Sequence, residues 1–217
     1  MLIACWSPKG GSGTTVVSAA LGLILAGSEG SSLLVDLDGD VPATLGLPEP
    51  AGPGMSEWLA AGPEVPDDAL NRLEVEAGPG LRLLPQGESL TAPVGSGRPE
   101  ALVAALAMER RAVVVDCGRA RDGAELAVAA GAAMSLMVLR PCYLALRRAL
   151  AAPLRPSGVV LVGEQGRSLN RRDVEEVLGV PVRAEVGYDP AVARAVDAGL
   201  LSRRVPRALE RSLRQAA

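Results

Sequence analysis

The sequence predicts an α/β protein: a mostly parallel sheet with helices packed on both faces. Two observations carry this. Short aliphatic runs alternate with helical patterns from one end of the chain to the other, and strands separated by helices pair in parallel. The chain also has 217 residues, 48% of them apolar, enough to bury one full core. No internal repeat or low-complexity linker divides it, so a single domain over residues 1–217 is expected.

The elements follow in order. Residues 2–6 form an aliphatic strand, followed by a glycine-rich loop and a helix over 14–26. Residues 32–36 are the second strand, and Pro- and Gly-rich sequence follows over 41–54. Short helices are expected at 56–61 and 67–73, then a third strand at 81–85. A helix over 100–110 leads to a strand at 112–116, nearly pure valine before its aspartate. Helical and aliphatic segments then alternate: helix 125–133, strand 135–140, helix 144–152, strand 159–163. Asn170 is a good N-cap for a helix over 170–178. A strand at 180–185 and helices at 191–198 and 207–215 complete the series.

Composition excludes several chemistries. There is no histidine, which removes His-based acid–base catalysis, Ser-His-Asp hydrolysis and His metal ligation together. There is no Phe, and Trp6, Trp58, Tyr143 and Tyr188 are too few to stack a row of unpaired bases. Cys5, Cys117 and Cys142 are odd in number and widely spaced, which fits reduced thiols rather than a disulfide framework or zinc knuckle. The first basic residue is Lys9, and no charged segment precedes an apolar one, so no signal peptide is expected. The most apolar stretches, 16–26 and 126–139, are too short to cross a bilayer. A cytoplasmic protein is expected.

Charge is unevenly placed. Residues 1–139 carry −9 and residues 140–217 carry +6, for a net −3. Such asymmetry marks either an interaction surface or a solvated helical face. One count is sharper: of 22 basic residues only Lys9 is lysine. Where Arg serves everywhere else, the surviving lysine marks a position that needs a compact ammonium.

The loop after the first strand reads Ser7-Pro8-Lys9-Gly10-Gly11-Ser12-Gly13-Thr14-Thr15. Glycines between a strand and a helix let backbone N–H groups converge on a phosphate, with the helix N-terminus aimed at the same anion. A hydroxyl at the start of that helix suits Mg²⁺. Two further strands end in acids: the run Leu33-Leu34-Val35 before Asp36 and Asp38, and Val113-Val114-Val115 before Asp116. Ligands of open parallel sheets bind beyond the carboxyl ends of the strands, so all three sites face one crevice. Taken singly, each acid is an ordinary turn or cap residue; together they suit Mg²⁺ and water positioning.

The residues Lys9 to Thr15 resemble the deviant Walker A loop of the ParA/MinD family. Asp36-Leu37-Asp38 is similar to that family's second-strand motif, and Asp116 to its Walker B acid. Likeness extends over the chain, through residues 81–85, 141–149 and 185–201, with Asp189-Pro190-Ala191-Val192 and Gly199. Among branches the chain is most similar to the CpaE/TadZ group of pilus and secretion localisation proteins, and the receiver-like domain that often precedes that module is not expected, since strand one begins at residue 2. The resemblance implies a P-loop NTPase fold of the SIMIBI, MinD-like kind, and ATP with Mg²⁺ held between two subunits of a homodimer. Lys9 would reach across to the partner's phosphates, and Gly10, Gly11, Ser12, Gly13, Thr14 and Thr15 would cradle the nucleotide. Thr15, Asp36 and Asp116 would act around the metal, and Asp38 would position attacking water. Such a switch would position a protein partner belonging to a pilus, secretion or division machine. An active partitioning ATPase and a nucleotide-free scaffold are the alternatives.

Two departures from the pattern bear on activity. Thr14 stands where the usual P-loop lysine is expected, and one charge-assisted phosphate contact is worth about 1.5–3 kcal/mol. Slow or absent ATP hydrolysis is therefore expected. Gly163-Glu164 stands where the family often has an Asn that reads the adenine edge. At the C-terminus, Leu201, Val205, Leu209 and Leu213 recur at intervals of four, with Arg203, Arg207, Arg211 and Arg214 on another face. That helix either packs on the sheet, or lies peripherally on a membrane surface, or binds DNA nonspecifically.

Overall fold

The computed structural model describes residues 1–61, 65, 66, 68–88, 98–163 and 166–216. Asp67, where the second short helix was expected to begin, and Glu164 lie outside the described residues. Eighteen elements follow in chain order: β1 (Leu2–Trp6), α1 (Thr14–Glu29), β2 (Ser32–Asp36), α2 (Val41–Leu45), α3 (Met55–Ala60) and α4 (Ala69–Leu73). Then come β3 (Val75–Gly78), β4 (Leu81–Leu84), α5 (Pro99–Met108), β5 (Ala112–Asp116), α6 (Gly123–Gly131) and β6 (Met134–Leu139). The last are α7 (Tyr143–Leu150), β7 (Gly158–Gly163), α8 (Arg171–Leu178), β8 (Val182–Gly187), α9 (Pro190–Asp197) and α10 (Arg207–Leu213).

One eight-stranded sheet runs in the order β3-β4-β2-β5-β1-β6-β7-β8. Every neighbouring pair is parallel except β3 with β4. The predicted mostly parallel sheet with helices on both faces is thus the observed one. Strand alternation divides the core in two. Leu2, Ala4 and Trp6 join Val113 and Val115 on one face, over α5 to α8. Ile3 and Cys5 join Ala112 and Val114 on the other, under α1 and α10. A strand buried on both sides must be apolar at every position, which is why β5 is an unbroken run of Ala and Val before its acid. Each such buried valine contributes about 1.5–3 kcal/mol relative to exposure.

Three elements differ from expectation. The fold has an antiparallel edge strand, β3, where the sequence gives no strand signal; Val-Glu-Ala-Gly has no aliphatic run, and the ladder shifts register between Glu76 and Gly78. The segment 41–54 begins with a helix, α2, with Pro42 in its first turn and Gly46 closing it at φ 73°. The last strand begins at Val182 rather than at 180, because Pro181 has no N–H to give a ladder and only its carbonyl is used, by Val159.

The tryptophans are core residues. Trp6 is 1% exposed and its indole N–H donates to Ser135 Oγ at 3.0 Å. Trp58 packs in the same layer with the Arg98 guanidinium 4.7 Å over its ring. Leu201, Leu209 and Leu213 of the C-terminal segment are buried against α1 and the sheet, so its leucine face is spent on the core. No described helix is long and apolar enough to cross a membrane.

The topology fixes where a site can form. From β1 the chain proceeds first to β2 on one side and later to β6 on the other, so connections diverge at the carboxyl end of β1. That divergence opens a crevice there.

Candidate functional site

The loop leaving β1 is held by hydroxyls at both ends. Ser7 N–H donates to the Gly118 carbonyl at 2.8 Å, tying the loop to the segment after β5. The Ser7 and Ser12 hydroxyls both donate to the Lys9 carbonyl, at 3.0 and 2.9 Å. Gly11 and Gly13 adopt φ 75° and 87°, a left-handed backbone that other residues enter only with strain. Methyl groups added to Gly10 or Gly11 would meet nothing, so this arc of backbone faces open space. Helix α1 begins directly after it, with no side-chain cap and no acid in its first turn. Its first N–H groups and positive dipole end are therefore available to an anion.

Asp36 and Asp116 are register partners at the ends of adjacent strands. Both are fully buried, yet their surroundings differ. Asp36 is saturated by backbone: Oδ1 accepts from the N–H groups of Asp38 (3.1 Å) and Gly39 (2.7 Å), and Oδ2 from Val41 (3.1 Å), the first residue of α2. Burial pushes its pKa up to about 6 against the pull of those three donors. Asp116 has less: Oδ1 accepts a long 3.4 Å bond from Gly118 N–H, and Oδ2 is buried with no hydrogen-bond partner. Burial first, then the neighbouring Asp36 charge, raises its pKa to about 7, with the Thr15 hydroxyl and Gly118 N–H opposing. A buried carboxylate oxygen left without a donor is a place for a cation or for the water bound to one.

These elements border a cavity of about 520 Å³. Gly10, Gly11, Ser12, Gly13, Thr14, Thr15 and Asp38 line it. Asp36 and Asp116, both buried, and the half-buried Lys9 are outside the lining. Asp38 has its pKa raised by burial and by Asp40, while Arg119 draws it back down. Among the described residues no group of three or more acidic or cysteine side chains forms a metal cage. The donor set present, one hydroxyl and one under-used carboxylate, fits a Mg²⁺ that keeps its waters and is shared with phosphate oxygens.

The cavity also has walls that the sequence reading did not name: Asp40 and Thr44 on the β2 side, Gly118 and Arg119 after β5, and Val196 and Asp197 at the end of α9. The rule that flagged Asp116, position at the carboxyl edge of the sheet, applies equally to Gly118 and Arg119 two and three residues further on. Gly118 meets the site at close quarters, since a methyl group there would overlap the Asp38 carboxylate.

Sheet order, glycine arc and paired acids define a phosphate-binding α/β domain of the P-loop kind. The chain belongs to the CobQ/CobB/MinD/ParA nucleotide binding domain family, whose model matches residues 3–202. Comparison with curated proteins gave no match. Among solved structures the chain is similar to a ParA family ATPase from Chlorobium tepidum TLS, with TM-score 0.78 and 19% identity over 98% of this chain and 96% of that one. It is also similar to the septum site-determining protein MinD in complex with Mg-ADP from Pyrococcus horikoshii OT3 (TM-score 0.76, 20% identity, 99% and 93% covered). A third is the MinC:MinD cell division protein complex of Aquifex aeolicus (TM-score 0.75, 18% identity, 100% and 95% covered). At these identities the likeness is one of fold.

Proposed function

We propose that this chain is an ATP-dependent dimerisation switch: it binds Mg·ATP in the cavity under the glycine arc, pairs with a second copy around the nucleotide, and hydrolyses it slowly or not at all. The observation that carries the reading is the open loop and uncapped α1 above a buried carboxylate oxygen with no donor. Related folds are known with Mg-ADP and with a protein partner bound, which supports nucleotide and partner use here.

The residues divide the work. Backbone N–H groups of residues 10–14 and the α1 N-terminus bind the phosphates. Thr15 and Asp116 hold Mg²⁺, which when bound offsets phosphate charge. Asp38, in the cavity wall, orients the attacking water. Asp36 has its oxygens committed to the backbone of residues 38–41, and serves the metal by fixing that loop. Lys9, outside its own cavity, meets the phosphates of the second subunit. Thr14 leaves the site without the usual lysine, which supports the CpaE/TadZ-like branch and slow turnover. The ATP-bound dimer positions a pilus, secretion or division machine. The exposed arginines Arg203, Arg204, Arg207 and Arg211 offer that assembly, or the phosphate backbone of DNA, a basic surface.

Calorimetric titration with ATP, ADP and GTP, with and without Mg²⁺, tests this. Micromolar-range, Mg²⁺-dependent heat with ATP is expected. No heat and no thermal shift at millimolar nucleotide would leave a nucleotide-free scaffold, and turnover within the ordinary enzyme range of about 1–10³ per second would make it a partitioning ATPase instead.

A further inference from the structure

The cavity wall poses an electrostatic problem. The charged side chains that line it are three carboxylates, Asp38, Asp40 and Asp197, and a single cation, Arg119. Two more acids, Asp36 and Asp116, are buried at the adjacent ends of β2 and β5. A nucleotide triphosphate is itself strongly anionic, and Thr14 supplies no charge. One Mg²⁺ leaves part of this charge uncompensated, so a cation of the same chain on the cavity wall is placed to offset it. Lys9 is not in the lining.

Arg119 is held in place rather than merely near. The segment after β5 is clamped at Gly118, whose carbonyl accepts from Ser7 N–H (2.8 Å) and whose N–H donates to Asp116 Oδ1 (3.4 Å). One residue beyond Arg119, Ala120 is buried in the core at 2% exposure and closes a tight turn through its N–H to the Cys117 carbonyl at 3.0 Å. Ala120 takes a positive φ of 30°, uncommon for a residue with a side chain. With both neighbours pinned, Arg119 projects from the tip of the turn into the mouth of the cavity. It is exposed, and on the cavity wall its charge acts on Asp38, whose pKa it draws down. Arg121, two residues on, is exposed but is not part of the lining.

We infer that Arg119 supplies, within the same subunit, the phosphate-facing cation that Thr14 omits. This rests on the nucleotide reading above. A guanidinium fork can take two phosphate oxygens at once, so the replacement changes geometry as well as position: the charge arrives from the β5 loop rather than from the helix beneath the phosphates. Because Arg119 shares its wall with Asp38, its contact falls at the terminal phosphate, and it favours ATP over ADP.

The test is calorimetric titration of Mg·ATP and Mg·ADP into the full chain and its variants. Arg119→Ala should weaken Mg·ATP by about 10–100-fold, the range of a charge-assisted contact, and Mg·ADP by less. Arg119→Lys should recover part of the loss, and Arg121→Ala should bind as wild type does. The same loss should persist in a Lys9→Ala background, where pairing across subunits is removed. Thermal melts of the nucleotide-free variants should match wild type, since the side chain is exposed. Equal affinity in Arg119→Ala and wild type overturns the inference while leaving the nucleotide site standing. A loss that disappears in the Lys9→Ala background overturns the same-subunit assignment. Absence of binding in wild type itself overturns the nucleotide reading and this inference with it.

Discussion

Gly118 lies directly under the carboxylate of Asp38: the space a methyl group would take on Gly118 is already filled by that acid. Gly118 also sits at φ 50°, hydrogen-bonds Ser7 through its carbonyl and meets Asp116 through its N–H. The three sequence motifs that end β1, β2 and β5 therefore touch one another through a residue with no side chain.

Gly118→Ala follows directly. A left-handed backbone costs a side-chain-bearing residue about 1–2 kcal/mol, and the overlap with Asp38 adds to this. Urea titration should show a destabilisation of about 1–3 kcal/mol. Any basal ATP hydrolysis should fall further than ATP affinity, because Asp38 is displaced while the glycine arc stays intact. A variant as stable as wild type would contradict the close approach.

Asp116 makes the metal-free protein pH-sensitive in an unusual direction. Its folded pKa of about 7 lies above the ordinary 3.8, and that of Asp36, about 6, does too. Each acid thus holds its proton more tightly when folded. The stabilisation is complete below about pH 4 and is lost as pH rises through 6 to 7. Glu109, held at about 2 by Arg111, has the opposite sign, but its loss falls below pH 4, outside that window. Denaturant midpoints between pH 5 and 8, with chelator present, should decline for wild type. Asp116→Asn should decline less, be at least as stable at pH 8, and lose the Mg²⁺-dependent part of nucleotide binding.

Thr14→Lys restores the usual P-loop cation at a cavity-lining position. ATP affinity should rise by about 10-fold or more, and hydrolysis should accelerate. Combined with Arg119→Ala, the two changes should be non-additive, since both address one phosphate charge. Unaltered affinity in Thr14→Lys would mean that this helix end does not face phosphate.

For Lys9 the readout is association. Light scattering on a sizing column should give a monomer with ADP and a dimer with ATP. Lys9→Ala should remain monomeric with ATP and keep its fold, and Lys9→Arg should be impaired because a wide planar fork replaces a compact ammonium. An ATP-induced dimer of normal strength in Lys9→Ala would refute the cross-subunit role.

The parallel strands were legible because burial on both faces demands unbroken aliphatic runs, and runs such as Val113-Val114-Val115 have no other ready explanation. The edge hairpin was not, since β3 is half-exposed and carries little apolar signal; its Pro79-Gly80 turn, with Gly80 at φ 71°, was the cue available. Helix α2 hid behind Pro42 and Gly46, which look like loop residues but cap a short helix in the expected polarity. In the site, the motif residues announced themselves by type and spacing. Asp40, Thr44, Arg119, Val196 and Asp197 did not, because cavity walls are assembled by tertiary packing from segments with no shared pattern. Nor could sequence separate the roles of Asp36 and Asp116, which look alike and differ only in how many backbone donors reach each one.

Lys9 also gives the protein a chemical address. Its backbone is fixed by two serine hydroxyls while its side chain stands at the rim, and no other side-chain amine exists anywhere in the sequence. An amine-directed acylating dye will therefore mark one side chain, on the loop proposed to meet the nucleotide and a second subunit. Labelling slowed by Mg·ATP but not by Mg·ADP would report pairing without a single engineered residue. Enzymes that modify lysines would likewise find one target here, so any acetylation of this chain's side chains would fall on the glycine-rich loop.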